Sequence, residues 1–325
     1  MPDFMEAHVR YQLTPIHCRP WTLSYLSVKL IESHYENNYG GALRRLNAIT
    51  EQLENLDWAN TPAHVIGGLK RDELAALNSM QLHELYFASM GGDGQPTEAM
   101  SAVLARDFGS ALRWKDQFVA MGNALAGGSG WVVLVYLPRN RRLVNQYATE
   151  HSQAVAGGIP ILALDMYEHA YHLDYGANAK AYVDIFMRNV DWKALYTRYG
   201  DAAKVGGLRP LEQPEFGDVP SVGVEEVKSM LDTGKPVQVV DARPRASVSW
   251  THEVMQGATW RDPERVQEWV GELSKSDPVV VYCAYGFHVG CKTAIKLRDL
   301  GFDAKFMQGG HSAWKAIGEA MKPHG

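Results

Sequence analysis

The chain has 325 residues, 46% of them hydrophobic and 21% charged, which fits a globular protein rather than a disordered or fibrous one. Its length suggests two domains at about 100–200 residues each. With 32 Lys+Arg against 37 Asp+Glu, a net charge of -5 and no basic tract, the chain offers nucleic acid no electrostatic footprint.

Cysteine usage points the same way as charge. Cys18, Cys283 and Cys291 are too few and too uneven for a disulfide framework, so a reducing cytoplasmic location is expected. The opening MPDFMEAHVR lacks the apolar run of a secretory leader. The longest apolar run, WVVLVYL at 131–137, falls well short of the ~18 residues needed to span a bilayer, so no membrane partner is expected.

In chain order, helical spacing of Leu23, Leu26, Leu30, Ile31, Leu43, Leu46 and Ile49 predicts a helix from about Trp21 to Leu56, with a kink at Gly40-Gly41. A second helix is predicted from about Arg71 to Met90, ended by Gly91-Gly92-Asp93-Gly94. WVVLVYL (131–137) and RLVNQYA (142–148) read as a hairpin across Pro138-Arg139-Asn140. GIPILALD (158–165) reads as a further buried strand, and an aromatic-rich helical stretch runs from about His169 to Tyr199. Helices followed by a small sheet predict an α+β domain.

From about Leu208 the composition changes. LRPLEQPEFGDVPS reads as a linker. Beyond it the elements alternate: helix 223–233, strand 236–241, a short strand near 257–260, helix 262–273, strand 278–282, helix 289–300, strand 304–307 and a helix from His311. Alternation of this kind predicts a parallel α/β sheet. The expected organisation is a first domain at 1–207, a linker at 208–221 and a second domain at 222–325.

Chemistry concentrates first in LDMYEHAYHLDYG, residues 164–176. Asp165 closes an apolar strand and His169 follows four residues later, so carboxylate and imidazole can face one point. Alone, the pair reads equally well as a strand-end helix cap beside a core histidine. His34 and His83, each on an apolar helical face, change the balance. Three neutral imidazoles and a carboxylate suit a first-row metal such as Fe, Mn or Zn. Four ligands also leave a position for solvent or substrate, as catalysis requires.

These residues resemble the iron/manganese superoxide dismutase family. The signature D-x-W-E-H-A-Y stands as Asp165-Met166-Tyr167-Glu168-His169-Ala170-Tyr171, with Tyr167 for the usual Trp, and Gly128-Ser129-Gly130-Trp131 matches GSGW. The stretch from His34 to Leu46-Asn47 matches the first ligand helix, and His83 with Phe87 the second. The resemblance covers about residues 15–200. It implies one Fe or Mn ion per chain held by His34, His83, Asp165 and His169, superoxide as substrate, and a homodimer joined near Glu168 and His169. It further implies that His151, in Glu150-His151, sits against the solvent at the metal and tunes it. Tyr35 is a further candidate from its neighbouring position.

The chain also departs from the family. Ala42 stands where an active-site Tyr is usual, Asn38 where His is frequent, and His172 where the second Tyr of E-H-A-Y-Y falls. Asn38 and His172 form a candidate coupled replacement across the dimer. The rim cation that guides superoxide is missing near Gly176, with Lys180 the nearest substitute.

The second centre is PVVVYCAYGFHVG, residues 278–290. Cys283 ends a buried strand, Gly286 permits a tight turn and a helix follows. A thiol in that position faces backbone N–H groups and a helix N-terminus, which stabilise its thiolate. The ordinary alternative is a small core cysteine, the reading preferred for Cys291. This half, about 220–322, resembles the rhodanese domain through VVDAR (239–243) and GFDAKFMQGGHSAW (301–314). The resemblance implies that Cys283 carries sulfane sulfur as a persulfide from a small donor to an acceptor. His288 occupies the position of the Arg in the common C-x-x-G-x-R loop, making the loop's cationic character pH-dependent.

The expectation is a superoxide dismutase fused to a rhodanese-like sulfur-transfer domain. The alternative is a sulfurtransferase, or a redox or oxyanion-stress protein similar to those associated with chromate resistance, whose dismutase domain serves as dimer scaffold or sensor.

Overall fold

The computed structural model describes residues 10–206, 219–286 and 288–324, and these form two compact units. Residues 208–218 of the expected linker lie outside the described residues, and its last residue, Ser221, begins a strand.

In the first unit, α1 (Val28–Ser33) starts where the Ser27 hydroxyl accepts from the Leu30 N–H at 3.1 Å, an N-cap. The helix therefore begins seven residues later than its apolar spacing predicts. Tyr25 explains why: its φ of 59° lies in the left-handed region, which no helix continues through. From His34 to Tyr39 the chain forms a π-helical turn, with the Gly40 N–H reaching the Tyr35 carbonyl, before α2 (Gly40–Glu54) resumes. The expected irregularity at Gly40-Gly41 thus sits one turn earlier, beginning at His34. α3 (Ala63–Ala88) packs back on α2 as a hairpin. Two further helices, α4 (Glu98–Phe108) and α5 (Ala111–Ala124), are capped by Thr97 and Ser110. Neither was anticipated.

The sheet is small and antiparallel, in the order β2 (Arg142–Ala148), β1 (Trp131–Leu137), β3 (Ile159–Asp165). β1 is buried at six of its seven positions, and the expected hairpin with β2 pairs Trp131 with Ala148 and Leu137 with Arg142. On its other side Trp131 pairs with Asp165. That register sets the end of β3 and the loop after β2 on either side of one tryptophan. Gly130 makes the approach possible: its φ is 145°, and a Cβ there would lie 2.1 Å from the Ala148 carbonyl oxygen. A short 3-10 turn (Glu168–Ala170), α6 (His172–Tyr175), α7 (Ala179–Arg188) and α8 (Trp192–Lys204) complete the unit. The architecture is α+β, as expected.

In the second unit β4 (Ser221–Val222) leads into α9 (Val224–Asp232), then β5 (Gln238–Asp241), α10 (Arg245–Thr251), β6 (Glu253–Met255), β7 (Ala258–Trp260) and α11 (Val266–Trp269). β8 (Val279–Tyr282), α12 (His288–Asp299), β9 (Ala304–Met307), α13 (Gly310–Ala316) and β10 (Met321–Pro323) follow. Five strands form a parallel sheet in the order β4-β9-β8-β5-β7. Both faces are covered, so the central strand β8 is buried at every position and the apolar residues alternate between two cores. Val239, Val280 and Tyr282 face Val227 of α9 and Trp314 of α13. Val240, Val279 and Val281 face Trp269, Ala294 and Leu297 of α11 and α12.

Inside this unit a buried ion pair closes on itself. The Asp241 carboxylate accepts from Arg243 Nη2 at 2.6 Å and from the Tyr282 hydroxyl at 2.7 Å. Arg243, 1% exposed, also donates to the Glu253 carbonyl and the Thr251 hydroxyl, and Tyr282 accepts from the Met255 N–H.

Candidate functional site

Four elements of the first unit deliver the four expected ligand residues to one place. His34 opens the π-helical turn, His83 lies on α3, Asp165 ends β3 and His169 lies in the 3-10 turn after it. Their nearest ligand atoms all fall within 4.8 Å of one another. The Asp165 carboxylate serves two purposes. Oδ1 accepts from the Tyr167 N–H at 2.8 Å and so caps the turn, as the ordinary reading of a strand-end Asp requires. Oδ2 faces His34 Nε2 at 3.1 Å, His169 Nε2 at 3.0 Å and His83 Nε2 at 3.5 Å.

Hydrogen bonding fixes the proton of at least one of these rings. His83 Nδ1 lies 2.6 Å from the Ser79 carbonyl oxygen, which can only accept, so Nδ1 carries the proton. Burial, reinforced by the charge of His34, pushes the His83 imidazole down to about 3, so the ring is neutral. Its Nε2 lone pair therefore points at a carboxylate oxygen and, at 3.4 Å, at His169 Nε2. Lone pairs converging in a dry interior repel unless a cation lies between them. Burial also pushes His34 down. Burial would push the Asp165 carboxyl up, but the charge and hydrogen bond of His169, with those of His34, outweigh it and hold Asp165 ionised. Three imidazole nitrogens and one carboxylate oxygen fit a divalent or trivalent first-row ion. The Ser79 carbonyl fixes the His83 tautomer as outer partners of metal-bound histidines do.

A cavity of about 370 Å³ opens onto this cluster, with His83, His169, His151, Tyr167 and Ser79 among its lining residues. His151, Tyr167 and His169 form a stack, with ring centroids 4.6 and 5.5 Å apart and planes within 6° and 11°. His151 Nδ1 accepts from the Trp131 indole N–H at 2.9 Å, which leaves the proton of the neutral ring on Nε2. Burial pushes His151 down, favouring that neutral form.

Not every expected residue reaches the cavity. Tyr35 does not: adjacent residues of a helix face different ways, and its hydroxyl donates to the Thr14 carbonyl at 2.7 Å. Lys180, exposed on α7, is not among the lining residues. Asn38 and Ala42 do line it, and so does Arg45, which sequence reasoning passed over. The signal was present: residues 38, 42 and 45 form one helical stripe that continues from the position of the missing tyrosine.

In the second unit Cys283 directly follows β8 and is buried. Its carbonyl accepts from the His311 N–H at 2.8 Å, and the Ala284 carbonyl from Ser312 N–H at 3.0 Å, so the loop closes on the start of α13. Gly310 permits this contact: its φ is 54°, and a Cβ there would stand 2.1 Å from the Cys283 carbonyl oxygen. Cys291 is buried in α12, and burial, then the charge of Cys283, pushes its thiol up to about 11. That suits a packing role. His288 opens α12 and is exposed, while Phe287 lies outside the described residues.

A helical hairpin against a three-stranded antiparallel sheet, with three imidazoles and a carboxylate converging between them, defines a mononuclear metal protein. The family model "Iron/manganese superoxide dismutases, C-terminal domain" matches residues 96–198, and "Rhodanese-like domain" matches 223–317. The chain is 57% identical over 194 residues to a superoxide dismutase [Fe] of Cupriavidus metallidurans, covering 60% of this chain and 98% of the relative. It is 31% identical over 196 residues to a superoxide dismutase [Fe] of Aquifex pyrophilus (58% and 91% covered) and 32% identical over 189 residues to a superoxide dismutase [Mn] 2 of Halobacterium salinarum (56% and 90%). The chain belongs to the iron/manganese superoxide dismutase family and carries a rhodanese-like domain after that region. Among the described residues no helix is long and apolar enough to cross a membrane.

Proposed function

We propose that the chain disproportionates superoxide to dioxygen and hydrogen peroxide at an Fe or Mn ion held by His34, His83, Asp165 and His169. One observation carries the reading: the neutral His83 turns an Nε2 lone pair toward the Asp165 oxygen, 3.5 Å away. The ion would supply a one-electron acceptor for one superoxide and a one-electron donor for the next. The protein's part is to bind, orient and protonate. The Ser79 carbonyl and the cap on Tyr167 N–H hold His83 and Asp165 in their ligating states. Trp131 fixes the proton of His151 on Nε2, on a ring that lines the cavity, and Tyr167 holds that ring parallel to His169. With Ala42 in place of a hydroxyl-bearing residue, proton delivery falls to His151 and to cavity water. The purified chain should carry about one Fe or Mn and dismutate superoxide. Full activity in His34→Ala or Asp165→Ala would overturn the assignment.

The rhodanese-like unit supports a second activity, in which the Cys283 thiolate takes sulfane sulfur from thiosulfate, releases sulfite and passes the sulfur on. The closed loop around Cys283 supports this reading. Intact mass after thiosulfate treatment should rise by one sulfur, and a Cys283→Ser variant that still gains it would sink the role. The reading takes 1–207 as the dismutase domain, 208–221 as linker and 222–325 as the sulfur-transfer domain. It makes the protein a cytoplasmic homodimer, testable by sedimentation.

A further inference from the structure

We propose that Arg45 guides the superoxide anion to the metal and that Asp72 sets the strength of that guidance. The proposal rests on the reading of the metal site given above. Superoxide is negatively charged at neutral pH, and a cation at a cleft mouth raises anion capture through long-range attraction. Near Gly176 the chain has no Lys or Arg, and Lys180 does not line the cavity. Arg45 does, and it is the only Lys or Arg among the described lining residues. It stands on α2 three residues after Ala42, whose methyl group leaves that wall open. Its charge reaches His151, on the same cavity.

The guanidinium is not left at full strength. Arg45 Nη2 lies 3.1 Å from Asp72 Oδ1 on α3, with the two side chains 61% and 55% exposed. An exposed pair of this kind is weak and salt-sensitive, so it dampens the field of Arg45 without cancelling it. Glu150 is the other nearby carboxylate, acting on both His151 and Tyr167. Removing Arg45 takes away the one Lys or Arg side chain among the described lining residues, whereas removing the Asp72 charge strengthens its attraction. Arg45 makes no hydrogen bond to His151, whose Nδ1 is taken by the Trp131 indole, so its part is long-range attraction and not proton transfer.

The test uses the full-length, iron-loaded chain and the variants Arg45→Gln, Arg45→Lys and Asp72→Asn, with metal content measured on each. Two quantities are read against ionic strength: kcat/KM for superoxide, and the Kd for azide from its visible absorption change. At low salt Arg45→Gln should lower kcat/KM about tenfold, the lower end of steering effects, and weaken azide similarly, with kcat little changed. Arg45→Lys should restore most of both, and Asp72→Asn should exceed the parent chain. The differences should collapse near 1 M salt, where the Debye length is about 3 Å. Unchanged kcat/KM and azide affinity in fully loaded Arg45→Gln would overturn the proposal, as would a loss equally large at every ionic strength. A parent chain without stoichiometric iron or manganese would overturn the site reading itself, and this proposal with it.

Discussion

Both units bury a carboxylate among polar side chains, but only one pairs it with an arginine. Around Asp241 the chain provides Arg243 and the Tyr282 hydroxyl, and every partner has a further partner of its own. Around Asp165 it provides three imidazoles, at least one of which turns a lone pair inward. Buried charges persist when paired or when they coordinate a metal. The contrast separates a cluster that finishes a fold from one whose donors suit an ion.

Substitutions at the open cluster should have the largest effect. Asp165→Asn or His83→Ala should lose the metal and lower dismutase activity by more than about 100-fold, the upper end of what outer partners of metal ligands cost. The far-ultraviolet spectrum should persist. Retained stoichiometric metal in either variant would erase the distinction between the clusters.

At the closed cluster the effect should appear in stability and not in metal content. Arg243→Met strands a buried carboxylate and should destabilise the second unit by about 3–5 kcal/mol. Replacing both partners, Asp241→Leu with Arg243→Met, should recover most of that loss, because an apolar pair of similar volume avoids desolvation. Denaturant unfolding followed in this unit decides the matter. A double variant as unstable as the single one would mean the network does more than fill space.

The smallest effect is one of pH. His83 is held near 3 in the folded chain against an ordinary value of 6.5. On acidification the unfolded chain binds the proton first, so this contribution is present above 6.5 and is lost as pH falls toward 3. In metal-stripped protein the melting temperature of the first unit should drop between about pH 7 and about pH 5, the range in which unperturbed histidine titrates. A flat profile would mean that His83 is not neutral in the folded chain.

Some of this organisation could be read from residue order alone. The strands around Trp131, Ile159 and Val279 are short apolar runs with polar ends, and the burial of each follows that pattern. The spacing of Asp165 and His169 likewise implied a strand end and a following turn. Helices α4 and α5 escaped because their cues are single cap hydroxyls, Thr97 and Ser110, beside thin apolar stripes. The start of α1 was placed too early because Leu23 and Leu26 are buried from irregular chain. Arg45 escaped for a different reason: it shares a helical stripe with Asn38 and Ala42, but which cavity that stripe faces depends on how α2 packs on its neighbours.

The π-helical turn at His34–Tyr39 makes chain length part of the site. Deleting one residue there would let an ordinary α-helix form and would leave Leu43, Leu46, Ile49 and Leu53 seated in the core. A π-turn takes in one more residue than an α-turn over nearly the same rotation, so the segments on either side would keep their phase. His34 would still face Asp165 and the other two imidazoles after that deletion. Deleting a second residue would turn it about 100° away, one residue's worth of an α-helix, and should be as damaging as replacing the histidine, while a gap in the 138–141 loop would only shorten a turn.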